Sequence, residues 1–305
     1  MQVLITGAAG SIGRYLTGKF LNDGWQVRCL DKVVPEGGFP QGAEAVVCSI
    51  EDRDAVDRAM EGIDLVLHLA WSFSDDPLTL LTTDLAGHLY LLEAAHANST
   101  KHFIYTSSAV VYGKPLQLPI AEDHPLLVHH SRKPFYAAAK AAAEGLTLAY
   151  GRERGLSCTI LRFWWAFGQE IGGRHLREMI ATARSGRPLA VPDPAGGSFV
   201  HMDDLAHVIK LISSNERASG QVYNLSTIYL TWREVAEDII QATSSQSRVE
   251  TVPLSDWRGS AFLRDQWRLS IQKIKEELGF SSVYDDTGAR NAFREALEWC
   301  ASQIS

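Results

Sequence analysis

Cysteine is scarce, with four among 305 residues, at positions 29, 48, 158 and 300. No two form a Cys-x-x-Cys pair and no Cys/His cluster has zinc spacing, so neither a disulfide scaffold nor a metal site is expected. Cys29, Cys48 and Cys158 lie in apolar runs that read as strands, where a free thiol behaves as a small hydrophobe, and this fits a reducing compartment. Basic charge is short too. Lys and Arg number 29 against 36 Asp and Glu, a net charge of −7. No basic stripe is present to meet a phosphate backbone, so nucleic acid is not an expected partner. No apolar run reaches the roughly 20 residues that span a bilayer, and the opening Met1-Gln2-Val3-Leu4-Ile5-Thr6-Gly7 lacks the basic and apolar layout of a secretory leader. No membrane partner is expected, and the cytoplasm is the expected compartment. Repeats and low-complexity tracts are also missing.

What is present is the balance of a globular protein, 46% hydrophobic and 21% charged. At roughly 150 residues per domain, the length suits two domains or one large one. Short apolar runs at residues 3–6, 26–30, 45–50, 64–70, 103–107 and 159–163 alternate with helical spacing at 11–22, 52–60, 78–97 and 134–154. Continuous apolar strands alternating with helices imply an α/β fold with a doubly wound parallel sheet, covered on both faces. After Gly168 the pattern loosens. Residues 187–197, rich in Pro and Gly, read as a loop, 222–225 as a short strand, and 232–241 and 271–278 as helices. The expected division is a dinucleotide-binding Rossmann domain over 1–165, to which 199–226 returns, and a smaller, less regular substrate-binding domain over 166–305.

Gly7-Ala8-Ala9-Gly10-Ser11-Ile12-Gly13 falls between the first strand and the first helix, the context a dinucleotide fingerprint requires. Gly7 permits the tight turn, Gly10 lets backbone approach a pyrophosphate, and Gly13 lets helix and strand pack closely. The helix start then offers unpaired N–H groups to phosphate oxygens. Asp31 ends the second strand, some 18 residues past Gly13, close to the roughly 20 at which an acid meets the ribose hydroxyls. A carboxylate there repels a 2′-phosphate, which favours NAD, although Lys32 and Arg14 leave NADP possible.

Tyr136-Ala137-Ala138-Ala139-Lys140 sets a phenol and an ammonium at i and i+4 on one helix face. A nearby positive charge favours phenolate, which suits a group that exchanges a proton with a substrate oxygen. The spacing alone is common by chance. It gains weight from Ser107-Ser108 at the end of the fifth strand, because ligands of open parallel sheets bind beyond the strands' carboxyl ends. A hydroxyl there can steady charge on a substrate oxygen. The alternative reading is a capping serine, which suits Ser107 better than Ser108.

Together these residues resemble the extended short-chain dehydrogenase/reductase family, the NAD-dependent epimerase/dehydratase group. The resemblance runs along nearly the whole chain. It rests on Thr6-Gly7-Ala8-Ala9-Gly10-Ser11-Ile12-Gly13, His68-Leu69-Ala70, Leu91-Leu92-Glu93-Ala94-Ala95, Tyr105-Thr106-Ser107-Ser108-Ala109-Val110-Val111-Tyr112-Gly113, Tyr136-x-x-x-Lys140 and Phe199-Val200-His201-Met202-Asp203-Asp204. It implies Tyr136 as acid/base, Lys140 as ribose and charge partner, and Ser108 as the oxygen-binding hydroxyl. Ser49, Ile50, Leu69 and Ala70 join the cofactor contacts, and a homodimer is implied. Departures bear on the substrate. Where family dehydratases carry acids after the catalytic hydroxyl, this chain has Ala109 and Val110, which have no proton to move. Where nucleotide-sugar enzymes of the family place an arginine before the Phe-Val-His segment, it has Gly196-Gly197-Ser198, removing a bidentate phosphate clamp. Arg258, Arg264 and Arg268 are only approximate candidates for a second clamp. Asp84 stands where the family has Asn, and Ser49 where it has an acid.

Phe163-Trp164-Trp165 follows the sixth strand and Trp71-Ser72-Phe73 the fourth. A Trp face there can stack on a sugar ring or pack between domains. Ser72 and Trp165 are the expected substrate contacts, beside Ser108. The resulting expectation is an NAD(P)-dependent oxidoreductase that moves a hydride at a secondary alcohol or ketone of a sugar-like or polyol-like small molecule. The alternatives are a nucleotide-sugar epimerase that oxidises its substrate transiently, and a non-catalytic NAD(P)-binding sensor.

Overall fold

Most apolar runs of the first half form strands buried on both faces, which only a sheet covered by helices can satisfy, while the run at 45–50 gives an edge strand that is largely exposed. The computed structural model describes residues 1–170 and 172–304. In it β1 (Gln2–Thr6) leads into α1 (Ser11–Asn22), followed by β2 (Gln26–Asp31), β3 (Glu44–Val47), α2 (Arg53–Met60) and β4 (Leu65–His68). Next come α3 (Pro77–Thr79), a π-helical turn (Leu80–Leu85) and α4 (Ala86–Ala97), then β5 (His102–Thr106), α5 (Pro134–Arg154) and β6 (Cys158–Arg162). Pro134 opens α5, where its missing N–H costs nothing, and Gly155 ends it in the left-handed region at φ +71°. The expected helix over 78–97 is therefore a π turn feeding an α-helix. Hydrophobic spacing does not register such a turn, because it adds one residue without breaking the apolar stripe.

The rest of the chain contributes β7 (Trp165–Phe167), α6 (Arg174–Arg184), β8 (Leu189–Asp193), β9 (Gly196–His201), α7 (Met202–Ser213) and β10 (Gln221–Asn224). Then follow β11 (Ile228–Thr231), α8 (Trp232–Ala242), β12 (Val249–Pro253), β13 (Gln266–Trp267), α9 (Gln272–Leu278) and α10 (Asp286–Ser302). The large sheet runs β10-β6-β5-β4-β1-β2-β3 and every pairing in it is parallel. This is the doubly wound Rossmann-type sheet expected. α1 and α7 bury Leu16, Phe20, Leu205 and Ile209 against one face, while α2, α4 and α5 bury Val56, Leu91 and Ala143 against the other. β11, β9, β13 and β7 form a smaller sheet, and β12 pairs with β8. A third core around Phe167, Trp232 and Phe293 lies beneath them.

The loop expected over 187–197 is instead β8 and the start of β9. Glycine weakens a strand pattern in sequence, but here it permits close approach. A Cβ on Gly196 would lie 2.3 Å from the Leu230 carbonyl oxygen across the β9–β11 pair.

Candidate active site

The carboxyl ends of the large sheet's central strands open onto a cavity of about 600 Å³. Its first wall is the glycine turn. Gly7 adopts φ +71°, and a Cβ there would lie 2.8 Å from the Ala70 amide nitrogen, so the turn and the end of β4 can touch only without a side chain. A Cβ on Gly13 would lie 2.4 Å from the Gly7 carbonyl oxygen, which leaves α1 no room to sit as it does with any larger residue. Gly10 precedes α1 with no side-chain cap, so the helix's first N–H groups stay available. Ser11, Ile12, Ser49, Ile50, Leu69 and Ala70 also line this end. Ile50 packs where Gly87 lacks a side chain, a Cβ there falling 2.4 Å from its Cγ1.

The Asp31 carboxylate accepts from the Ala9 amide at 3.0 Å and the Val33 amide at 3.2 Å. It therefore ties the glycine turn to the end of β2, with Lys32 beside it in the cavity wall. A cradle that a Cβ would fill, an uncapped helix start and a carboxylate next to both match a dinucleotide's diphosphate and ribose.

Tyr136 and Lys140 share one face of α5 and both line the cavity, each almost fully buried. Lys140 Nζ donates to the Thr106 carbonyl oxygen at 3.0 Å. It lies 3.9 Å from the centre of the Trp71 ring and 4.8 Å from that of Tyr105, an aromatic setting that favours a cation. Burial still pushes the ammonium down to about 7, against the pull of Asp84 and Glu144. Burial, followed by the Asp84 charge, pushes the Tyr136 phenol well above its ordinary value. In the protein alone, desolvation thus outweighs the lowering that the lysine spacing suggests.

Ser107 and Ser108 follow β5 into the same cavity. The capping role falls to Ser108, whose hydroxyl accepts from Val110 N at 3.4 Å, the weak end of the hydrogen-bond range. The Ser107 hydroxyl is buried with no partner among the described residues. This reverses the sequence-based preference, because the chain turns into a 3-10 segment one residue later than a strand-end count places it.

The far end of the cavity is aromatic and acidic. Ser72 lines it, and so does Asp84, which is buried in the π turn. The Ser72 amide donates to Asp84 Oδ1 at 2.8 Å and its hydroxyl to Oδ2 at 2.5 Å. Trp165 does not line the cavity. Its ring packs among Phe199, Phe262 and Trp232 and over Gly173, where a Cβ would fall 2.2 Å from its Cζ2. Its neighbour Trp164 lines the cavity instead, with Phe163. Both rings pack on Phe199, Trp232 and Phe262, and Trp164 also reaches the cavity. Sequence reasoning passed over Phe73, Ser107 and Trp164 as contacts. The doubled Trp and the Ser-Ser pair carried the signal for two of them.

The family model described as the NAD dependent epimerase/dehydratase family matches residues 3–226. A dTDP-glucose 4,6-dehydratase from Streptomyces niveus is 30% identical, over 98% of this chain and 92% of its own. A UDP-glucose 4-epimerase from Azospirillum brasilense is 26% identical over 98% and 91%. Among solved structures, the UDP-glucose 4-epimerase of Thermus thermophilus in complex with NAD has the same fold, with a TM-score of 0.79 at 24% identity over 97% of this chain and 99% of that one.

Proposed function

This chain belongs to the NAD dependent epimerase/dehydratase family, and from that premise we propose that it uses NAD for the reversible oxidation of a secondary alcohol on a sugar-like or polyol-like small molecule, as a dehydrogenase or reductase. One observation carries the reading. The glycine cradle, the Asp31 carboxylate, the Tyr136–Lys140 pair and the serine hydroxyls after β5 all face a single cavity. Gly7, Gly10, Gly13 and the start of α1 would hold the cofactor's diphosphate, and Asp31 its ribose. NAD, when bound, supplies a nicotinamide ring that accepts or returns a hydride.

The chain's own residues handle the proton. In the oxidising direction the substrate hydroxyl gives its proton to the Tyr136 oxygen as the carbon becomes a ketone, and in the reverse direction Tyr136 returns it. Ser108 donates a hydrogen bond to the same substrate oxygen and steadies its charge. Lys140 supplies positive charge beside the phenol when protonated. Because burial raises the phenol and lowers the ammonium, the protein alone holds Tyr136 protonated, the form that donates in the reducing direction. Accepting the substrate proton in the oxidising direction requires the phenolate, which further positive charge beside the ring would favour.

A second reading, a nucleotide-sugar epimerase, is favoured by the relatives' names. A dehydrogenase builds up NADH in proportion to product, whereas an epimerase shows no net change. For either, Tyr136→Phe is expected to cut turnover about 10²–10⁴-fold while calorimetry finds NAD affinity unchanged. A purified variant with full turnover would remove the assignment.

A further inference from the structure

A buried ammonium needs a negative charge close by, because burial strips it of the water that would otherwise hold it. We propose that Asp84 is a positioning residue for the proton transfer, the counter-charge that keeps Lys140 an ammonium beside Tyr136. The proposal rests on the reading above for what the proton transfer does, but the charge coupling it describes belongs to the protein alone.

Lys140 is 4% exposed. Its Nζ donates to the Thr106 carbonyl oxygen and lies over the Trp71 and Tyr105 rings, none of which carries a full opposite charge. Among the described residues, the carboxylates that act on it are Asp84 and Glu144. Glu144 is already committed. Its two oxygens accept from the buried Arg162 guanidinium at 2.9 and 2.6 Å, so the two charges largely cancel at Lys140. Asp84 keeps its charge. It is 1% exposed, and its oxygens accept from the Ser72 amide and hydroxyl, uncharged donors that orient the carboxylate without neutralising it.

The fold brings the two groups together. Asp84 belongs to the π turn, which packs directly on α5, and it lines the same cavity as Lys140 and Tyr136. Ser72, which orients it, follows Trp71, whose ring centre lies 3.9 Å from Lys140 Nζ. Single π turns are frequent at functional sites, and this one carries Asp84 to the cavity.

The other titratable groups around the pair supply no competing charge. His68 on β4 and His88 on α4 are kept neutral by burial. Tyr105 on β5 and Tyr136 on α5 are phenols that burial raises. Lys32, after β2, also acts on Asp84, but it is exposed, and water and salt screen it. Burial raises the Asp84 carboxyl and lowers the Lys140 ammonium to about 7, while each pulls the other back toward its charged form. Asp84 also pushes the Tyr136 phenol up. One carboxylate thus favours the protonated form of both groups, the state from which the site gives a proton to a ketone oxygen.

The test uses the full-length protein without substrate. By NMR of protein isotope-labelled at the lysine ε carbon, Lys140, identified by the signal lost in Lys140→Met, is expected to titrate at about pH 7. Asp84→Asn keeps the shape and loses the charge, and should lower that midpoint by about one pH unit or more while the urea midpoint stays close to that of the unaltered protein. Coupling is reciprocal. Lys140→Met should therefore raise the Asp84 midpoint, read at its carboxyl carbon, by a similar amount, and this variant carries the test if Asp84→Asn does not fold. A Lys140 midpoint that moves by less than about 0.3 units in Asp84→Asn, or an Asp84 midpoint unmoved in Lys140→Met, overturns the proposal. A purely structural Asp84 would shift the urea midpoint and leave both titrations alone. A Tyr136→Phe protein with full turnover would instead remove the catalytic reading and leave the Asp84–Lys140 coupling standing.

Discussion

At the scale of single residues, Asp31 is the proposed ribose partner at the cofactor end. Its carboxylate is fixed by two backbone amides, so it cannot swing aside for a 2′-phosphate. Asp31→Ser is expected to weaken NAD binding about tenfold, equivalent to about 1.4 kcal/mol, and to improve the relative affinity for NADP. Paired titrations of both dinucleotides would measure this, and an unchanged ratio would remove Asp31 from the ribose site. Glycines and this acid were legible in sequence because each answers a local demand, a tight turn or a strand end, that few residue types meet. The aromatic end was less so. Trp164 and Trp165 are chemically alike and pack on the same aromatic cluster, so nothing in the sequence marks which of them also reaches the cavity. Asp84 was visible as a departure from the family, but its bond to Ser72 depends on the π turn that aims it.

At the scale of elements, α5 decides where the phenol and ammonium stand. One turn beyond Lys140, Glu144 accepts from Arg162 Nε at 2.9 Å and from its Nη2 at 2.6 Å, both side chains almost fully buried. The same guanidinium donates to the Tyr112 hydroxyl at 3.0 Å, which in turn bonds to Asn224 on β10. This network locks α5 onto β6. Glu144→Ala would leave a buried guanidinium without its partner and should cost about 3–5 kcal/mol of stability. Urea unfolding would read it, and a loss under about 1 kcal/mol would show that the pair does not carry the helix. The extent of α5 could be read from its alanines, its opening proline and its closing glycine. Strands β8 and β9 could not, because their glycines and prolines imitate a loop until Leu230 and Trp164 arrive from elsewhere in the chain to explain them.

At the scale of the whole molecule, the sheet buries several histidines in neutral form. Burial lowers His88 to about 3 and His102 to about 4, and pushes His68 well below the ordinary range with help from His88 and Lys140. An unfolded histidine titrates near about 6.5, so between those values the unfolded chain binds more protons than the folded one. Stability is therefore full above roughly pH 6.5 and falls as the pH drops toward 4 and 3. Urea midpoints taken from pH 7.5 to 4.5 should decline steadily, and a flat series would mean these rings are charged or exposed in solution.

The large sheet ends in a strand that arrives late. β10 pairs with β6 only after the chain has left to build β7, β8 and β9, and α7, which covers α1, is also made on that detour. A fragment stopping near residue 165 would hold the glycine turn and the phenol yet leave β6, buried along its whole length, as a bare apolar edge open to pairing with another chain. The large sheet is therefore completed by a strand that belongs, by position, to the second half of the chain.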